Sequence, residues 1–381
     1  MRLRQVAHGS FRNLDDDEVA LAPSTTVLLG DNGQGKTSFL EAIGVLSSTR
    51  SFRRAKAAEI SRHGTDTFHV RGELEEDDGR RVQLAVQHQG GRRETWLGGV
   101  EVPLSEYVGQ FSVVAITSAH AAVVRGSPQD RRDFLDRGLL GIHDGYLQLL
   151  ASHRRTLRQK NALLRRCGSQ PGPEARRELL AWNERLVDDG AGLVLARRGY
   201  VRRLRQALET VGPRFLPDSE PLRIGLQDVV SRHESLSAAH DAGEDLDPAE
   251  VRQALHELTD AQLERELASG AALVGPHRDD LRLETSGRDL RRFASSGQQR
   301  NALLALKVAK VEIFQEKRGE PPLLLVDDVD TEIDPTRLRT FLERVGGQGQ
   351  AVLTSSKRDL FPKRPEDAIF YEVRSGSLTE A

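Results

Sequence analysis

The chain has 381 residues, 38% of them apolar and 29% charged, with a formal charge of −2 and a single cysteine. That length allows two domains or one large divided one; no apolar run approaches the roughly 20 residues of a membrane span, and Cys167 alone excludes an internal disulfide or a cysteine-built metal cage. The near-neutral charge excludes bulk attraction to nucleic acid, so DNA contacts would need local basic patches, and the opening "MRLRQVAHGSFRNL", without an apolar leader, makes the cytoplasm the expected location.

Residues 1–115 read as strand-rich. "TTVLLG" is a short apolar strand ending at Gly30, and the helix after it carries Phe39, Leu40, Ile43 and Leu46 at helical spacing. "DTFHVRGELEEDDGRRVQLAVQHQGG" alternates about an Asp-Gly turn and predicts a hairpin. Residues 116–270 read as helical and arginine-rich. Leu150, Leu157 and Leu164 recur at seven, as do Leu179, Leu186 and Leu193, with "CGSQPGPE" between them, which predicts an antiparallel helix pair, supercoiled or in an ordinary bundle. "HDAGEDLDPAEV" reads as a loop leading into a helix at Pro248. Over 271–381 strand signals return in "GAALVG", "DLRLET", "PPLLLVDD" and "QAVLTSS", around a long helix beginning in "SSGQQR". One α/β nucleotide-binding fold interrupted by an inserted α-helical lobe is the expected architecture.

"GDNGQGKT", Gly30 to Thr37, fits the phosphate-loop pattern G-x-x-x-x-G-K-[ST] between a strand and a helix. Gly30, Asp31, Asn32, Gly33, Gln34 and Gly35 would turn backbone N–H groups toward phosphates, Lys36 would reach the β/γ-phosphates of ATP, and Thr37 would ligate Mg²⁺. "LLLVDD" is the matching buried strand, with Asp327 at its end as the Mg²⁺ residue and Asp328 placed to polarise the attacking water. Lys36 and Asp328 are therefore the catalytic candidates. "FASSGQQR" opens a helix before that strand and resembles the signature of ABC-type ATPases, in which Ser295, Gly297 and Gln298 would form a second phosphate surface for a partner's nucleotide. Without the other two motifs, the same turn would read as a helix cap.

"SFRNL" at 10–14, "RSFR" at 50–53, "VVRGSPQDRRDFLD" at 123–136, "RQKNALL" at 158–164, "GPHRDDL" at 275–281, "SSGQQR" at 295–300 and "DDVDTEID" at 327–334 together resemble the RecF family, in the SMC-containing branch of ABC-type ATPases. The resemblance implies an ABC-type P-loop ATPase head with a mixed or antiparallel β-subdomain and a helical lobe, an ATP-dependent homodimer, and slow hydrolysis. It further implies binding to DNA at single-strand/double-strand junctions and action with RecR and RecO to place the recombinase RecA on gaps. By the same resemblance Asp334 closes the D-loop, and His277 and Arg278 become candidate site residues. Asp328 stands where many ABC-type ATPases have glutamate, as it does in RecF-like proteins, while other positions depart from the expected pattern: "ITSAHAAVVRG" lacks the expected Pro-Glu/Asp-Asp, Thr331 and Ile333 replace serine and leucine, and Thr354 stands in for a switch histidine.

For DNA, Arg50, Arg53, Arg54 and Lys56 are the preferred contacts, followed by "HRRTLRQK" at 153–160 and "RRGYVRRLR" at 197–205; each suits sequence-independent phosphate contacts or, equally, a solvated helix face. The ATPase subunit of a membrane transporter would share the three nucleotide motifs. The long arginine-rich insertion and "GPHRDDL" fit that reading poorly. A small-metabolite kinase would leave "FASSGQQR" without a role.

Overall fold

Four consecutive apolar residues, Leu323–Val326, suit a strand covered on both faces, and all four are buried. The computed structural model describes residues 1–216, 221–233, 236, 246–332, 349–361 and 367–381. In it, Leu323–Val326 runs parallel to Val113–Ile116 on one side and Ala351–Ser355 on the other. The parallel set continues through Thr25–Leu29 to Ala368–Arg374, and Ser377–Glu380 closes the far edge antiparallel. The C-terminal ends of these strands carry Gly30 and Asp327, with the strand Ala351–Ser355 between theirs, at the usual position of a ligand site in such sheets.

A second six-stranded sheet is antiparallel, ordered Asp17–Ala20, Arg2–Gly9, Phe68–Glu75, Arg81–Gln89, Arg92–Leu97, Val100–Glu101. Phe68–Glu75 alternates buried and exposed residues, so one face packs on the core and the other meets solvent. The expected hairpin is present and turns at Gly79, whose φ of +83° suits glycine. The helix Lys36–Ser48 packs against strands of both sheets, and every residue of it except Thr37 and Ser48 is buried. Helix and sheet approach closely: a Cβ on Gly72 would meet Leu46 Cδ2 at 2.4 Å. Phe39, Leu40, Ile43 and Leu46 are fully buried here, each contributing about 2 kcal/mol by area.

The chain divides into two compact units, residues 1–121, 210–218 and 295–381 in the first and 122–209 and 219–294 in the second. The return to the first unit therefore begins at Ser295, later than the sequence boundary at 271. The reason is a small sheet: Asp280–Thr285 pairs antiparallel with Arg223–Gln227 and Arg288–Asp289, so "DLRLET" belongs to the second unit. "GAALVG" forms no strand. Its backbone donors go to side chains instead, Ala272 N–H to Asn161 Oδ1 at 2.7 Å and Leu273 N–H to Glu266 Oε1 at 2.6 Å.

The expected helix pair is Tyr146–Cys167 and Pro173–Phe215, joined through Gly168 at φ +61°. Leu150, Leu164, Leu179, Leu186 and Leu193 are buried. A third helix, Pro248–Ser269, adds Leu263 and Leu267 to the cluster of Leu163, Leu164 and Leu179, so the leucines serve a bundle. That helix is capped by Asp247 with Pro248 in its first turn, as the sequence predicted.

Candidate nucleotide site

The strand-to-helix turn at Gly30–Thr37 is held by backbone positions open to glycine alone. Gly30 has φ +153°, and a Cβ there would lie 2.4 Å from Val373 O on the adjacent parallel strand. Two neighbouring turns strap the loop. Asn13 Nδ2 donates to Gly33 O at 3.2 Å, and Asn13 Oδ1 accepts from Ser38 Oγ at 2.7 Å. From the other side, Gln34 Oε1 accepts from Ser375 N–H at 2.6 Å, and Gln34 O accepts from Gly376 N–H at 2.8 Å. Lys36 Nζ folds back onto Gly30 O at 2.7 Å and Asp31 O at 3.0 Å, which keeps a buried ammonium satisfied inside its own loop.

A cavity of about 860 Å³ opens over Asn32, Gly33, Gly35, Lys36, Thr37 and Asp328. This volume lies in the range of cofactor sites. Gly30, Asp31 and Gln34 line a different cavity, of about 470 Å³, beside Arg374 and Ser375. The predicted loop residues are thus parted between two faces, because Gln34 is turned away to anchor the Ser375 turn.

The acidic strand end meets the loop directly. Thr37 Oγ1 lies 2.9 and 3.0 Å from the two carboxylate oxygens of Asp327, and Thr354 Oγ1 donates to Asp327 Oδ1 at 2.8 Å. Thr354 also accepts from Asp328 N–H at 2.7 Å, so its hydroxyl is committed to the acidic pair. Asp328 adopts φ +47°, a left-handed conformation that aspartate tolerates and that often marks functional positions. Burial, and then the Asp328 charge, raise the Asp327 carboxyl above its ordinary range, against hydrogen bonds from Thr354 and Thr37 and the charge of Lys36. Asp328 is raised by burial, opposed by Lys36. A hydroxyl and a carboxylate at one point are hard oxygen donors of the kind Mg²⁺ takes.

Three residues that the sequence reading did not single out complete the cavity: Arg12, Arg62 and His63, joined by Arg53. Arg12 at φ +53° forms a two-pronged ion pair with Glu41, Nε to Oε2 at 2.8 Å and NH2 to Oε1 at 2.9 Å. Arg62 donates to Leu14 O at 2.6 Å and Asp16 Oδ1 at 2.5 Å. Arg12, Lys36, Arg53 and Arg62 thus line one cavity with only Glu59 and Asp328 as acids, an excess of cations suited to a polyphosphate.

Ser295 caps the helix Ser296–Arg318, its Oγ accepting from Gln298 N–H at 3.2 Å while Gln298 Oε1 accepts from Ser295 N–H at 2.8 Å. Ser295 and Gly297 are exposed, nothing nearer than 3.9 Å would meet a Cβ on Gly297, and neither these two nor Gln298 lines either cavity. Asp334 and Ile333 lie outside the described residues.

A family model described as RecF/RecN/SMC N terminal domain matches residues 2–376. The DNA replication and repair protein RecF of an Anaeromyxobacter species is 36% identical over 382 residues, covering 100% of this chain and 99% of that protein. The chain belongs to the RecF family. A solved structure of the recombination mediator protein RecF-ATP in the RecFOR pathway superposes on this RecF-family chain with a TM-score of 0.89 at 27% identity, covering 100% of this chain and 97% of that one. An SMC head bound to the C-winged helix domain of ScpA, at 13% identity and a TM-score of 0.53, shares the fold. The α/β ABC-type ATPase head with its helical lobe is thereby established for this RecF-family protein.

The arginine clusters of this RecF-family chain separate by environment. Arg50, Arg53, Arg54 and Lys56 are exposed. Arg53 faces the nucleotide cavity, whereas Lys56 starts the short helix Ala57–Ile60, its backbone N–H bonded to Glu59 at 2.6 Å. The other two clusters are largely spent on structure. Arg197 is buried between Asp136 at 2.9 Å and Asp279 at 2.8 Å, Arg198 pairs with Asp228, and Arg205 caps Ile224 O at 2.8 Å. Within 153–160, His153 and Lys160 are buried, Lys160 paired with Glu266 at 2.6 Å; Arg155 and Arg158 remain exposed.

"GPHRDDL" belongs to the same buried network. His277 and Arg278 both turn to Ala272 O, each at 3.2 Å, so their contacts close a turn of their own chain. Arg131 forms a two-pronged pair with Asp280 at 2.6 and 2.9 Å, and Tyr146 donates to Asp136 at 2.6 Å, which joins "RGSPQDRRDFLD" to "GPHRDDL". Among the described residues there is no group of three or more His, Cys, Asp or Glu arranged to hold a metal ion, and no helix long and apolar enough to cross a membrane.

Proposed function

We propose that this RecF-family protein is an ATP-driven switch of DNA repair and replication, a slow, DNA-linked ATPase of the cytoplasm that dimerises on ATP. The observation that carries the reading is the Thr37–Asp327 contact beneath a cavity walled by Lys36, Arg12 and Arg53. In this reading Lys36 exchanges the Gly30 and Asp31 carbonyls for phosphate oxygens, while N–H groups of Asn32, Gly33 and Gly35 face the polyphosphate. Thr37 and Asp327 would hold Mg²⁺, which when bound supplies neutralisation of the β- and γ-phosphate charge. Asp328 orients the attacking water and takes its proton; one methylene shorter than glutamate, it stands farther back, which favours slow turnover.

Ser295 and Gly297 are exposed, Gln298 is half-buried, and none of the three lines the cavity of its own chain. They suit the phosphates held by a second copy. The dimer would then grip gapped or junction DNA through exposed arginines of the Arg50–Lys56 segment and, with RecR and RecO, help load RecA. The relative named RecF-ATP in the RecFOR pathway supports this assignment by likeness.

Retention of gapped and blunt duplexes, with and without ATP and over a salt series, tests the reading. ATP should raise affinity for gapped DNA, with a steep fall as salt rises. Equal retention of both duplexes regardless of ATP would contradict it.

A further inference from the structure

Glu41 is the acid that the nucleotide site hides. It lies on the helix Lys36–Ser48 with no exposed surface, in a chain segment otherwise filled by Phe39, Leu40 and Ile43. A carboxylate so placed persists only where its charge and lone pairs are met. Glu41 Oε1 accepts from Arg12 NH2 at 2.9 Å and from the Ser51 hydroxyl; Oε2 accepts from Arg12 Nε at 2.8 Å and lies 3.7 Å from Arg53 NH1. Ser51 Oγ in turn accepts from Arg53 N–H at 2.9 Å. One carboxylate therefore fixes the guanidinium of Arg12 and the backbone from which Arg53 departs.

Both arginines line the cavity that Lys36 lines. Cations facing one cavity repel one another, and a buried counter-charge behind Arg12 and Arg53 offsets that repulsion without occupying the cavity. The Arg12 backbone is fixed as well, its N–H bonded to Ile60 O at 2.7 Å. Donors held in place before a ligand arrives cost less to order when it binds.

Resting on the nucleotide reading above, we propose that Glu41 is a positioning residue for the triphosphate: it presents Arg12 and Arg53 as one prearranged guanidinium wall. Glu41 itself does not touch the ligand. Its removal should act on ATP binding only through the arginines.

The test is a double-mutant cycle on ATP affinity, measured by calorimetric titration on the full chain, with Glu41→Gln, Arg12→Ala and the double variant. Each single change should weaken ATP binding about 10-fold, and the double variant, in which only the Arg53 share of Glu41 is left to lose, should fall well short of the two losses multiplied. Wild-type affinity in Glu41→Gln, or losses that multiply to about 100-fold, would overturn the proposal. Should Glu41→Gln fail to fold, Glu41→Asp keeps the charge. It should lose about 3-fold in the native background and less than that beside Arg12→Ala; a loss of equal size in both backgrounds would overturn the proposal. If the native chain shows no saturable ATP binding, the nucleotide reading itself fails, a result distinct from either.

Discussion

The hydroxyl of Thr37 sits 2.9 and 3.0 Å from the two carboxylate oxygens of Asp327, bringing together residues 290 positions apart. This contact seals the end of the glycine loop against the end of the acidic strand. Asp327 is nonetheless uncomfortable there: burial and the charge of Asp328 both raise its carboxyl.

Asp327→Asn should therefore stabilise the nucleotide-free protein while removing the response to metal. An amide still bonds Thr37 and Thr354 but carries no charge to desolvate. The thermal midpoint without ligand should rise by about 2 °C, and the extra stabilisation that Mg²⁺ adds to ATP should vanish. A lowered midpoint with a retained Mg²⁺ response would contradict this assignment.

Gly376 is the second strap of the loop. Its φ is +94°, and a Cβ there would lie 2.0 Å from Asn13 O. Gly376→Ala must move either the turn that holds Gln34 or the turn that holds Gly33, so it should lower the midpoint and weaken ATP binding together. Unchanged ATP affinity in the folded variant would separate the strap from the site.

How much of this was legible in sequence differs between charges and motifs. The glycine loop, the acidic strand and the capped helix at Ser295 are local patterns, set by neighbours within a turn or a strand. Arg12 and Glu41 were missed because their meaning depends on each other across 29 residues. A signal existed in principle: one acid on a helix otherwise apolar where it faces the sheets needs a partner. The arrays at 153–160 and 197–205 could be read only as exposed phosphate contacts or solvated faces for the same reason, since Arg197 finds Asp136 and Asp279 only in the fold. "GAALVG" failed as a strand because a short apolar run carries no period, and Asn161 and Glu266 took its backbone donors.

The buried histidines give the second unit a definite pH response. Burial, with the neighbouring charges, lowers His153 to about 3 and His277 to about 4, from an ordinary 6.5. Both stay neutral when folded, so below about pH 6.5 the unfolded chain takes up more protons and stability falls as pH falls. Asp279, pushed up to about 7 by burial against the pull of Arg197, works in the opposite sense over the same window. Two histidines against one aspartate leave stability falling as pH falls through this window. His153→Leu should flatten urea midpoints between pH 7 and 5; an unchanged slope would show that His153 does not titrate on unfolding.

The central claim is that the exposed cap at Ser295 completes the phosphate site of a second copy. Sedimentation velocity of the native chain and of Ser295→Arg, each with and without Mg²⁺-ATP, tests it most directly. The native chain should shift from monomer to dimer with ATP, while Ser295→Arg binds ATP with native affinity and stays monomeric. Equal ATP-dependent dimerisation of both proteins would contradict the account.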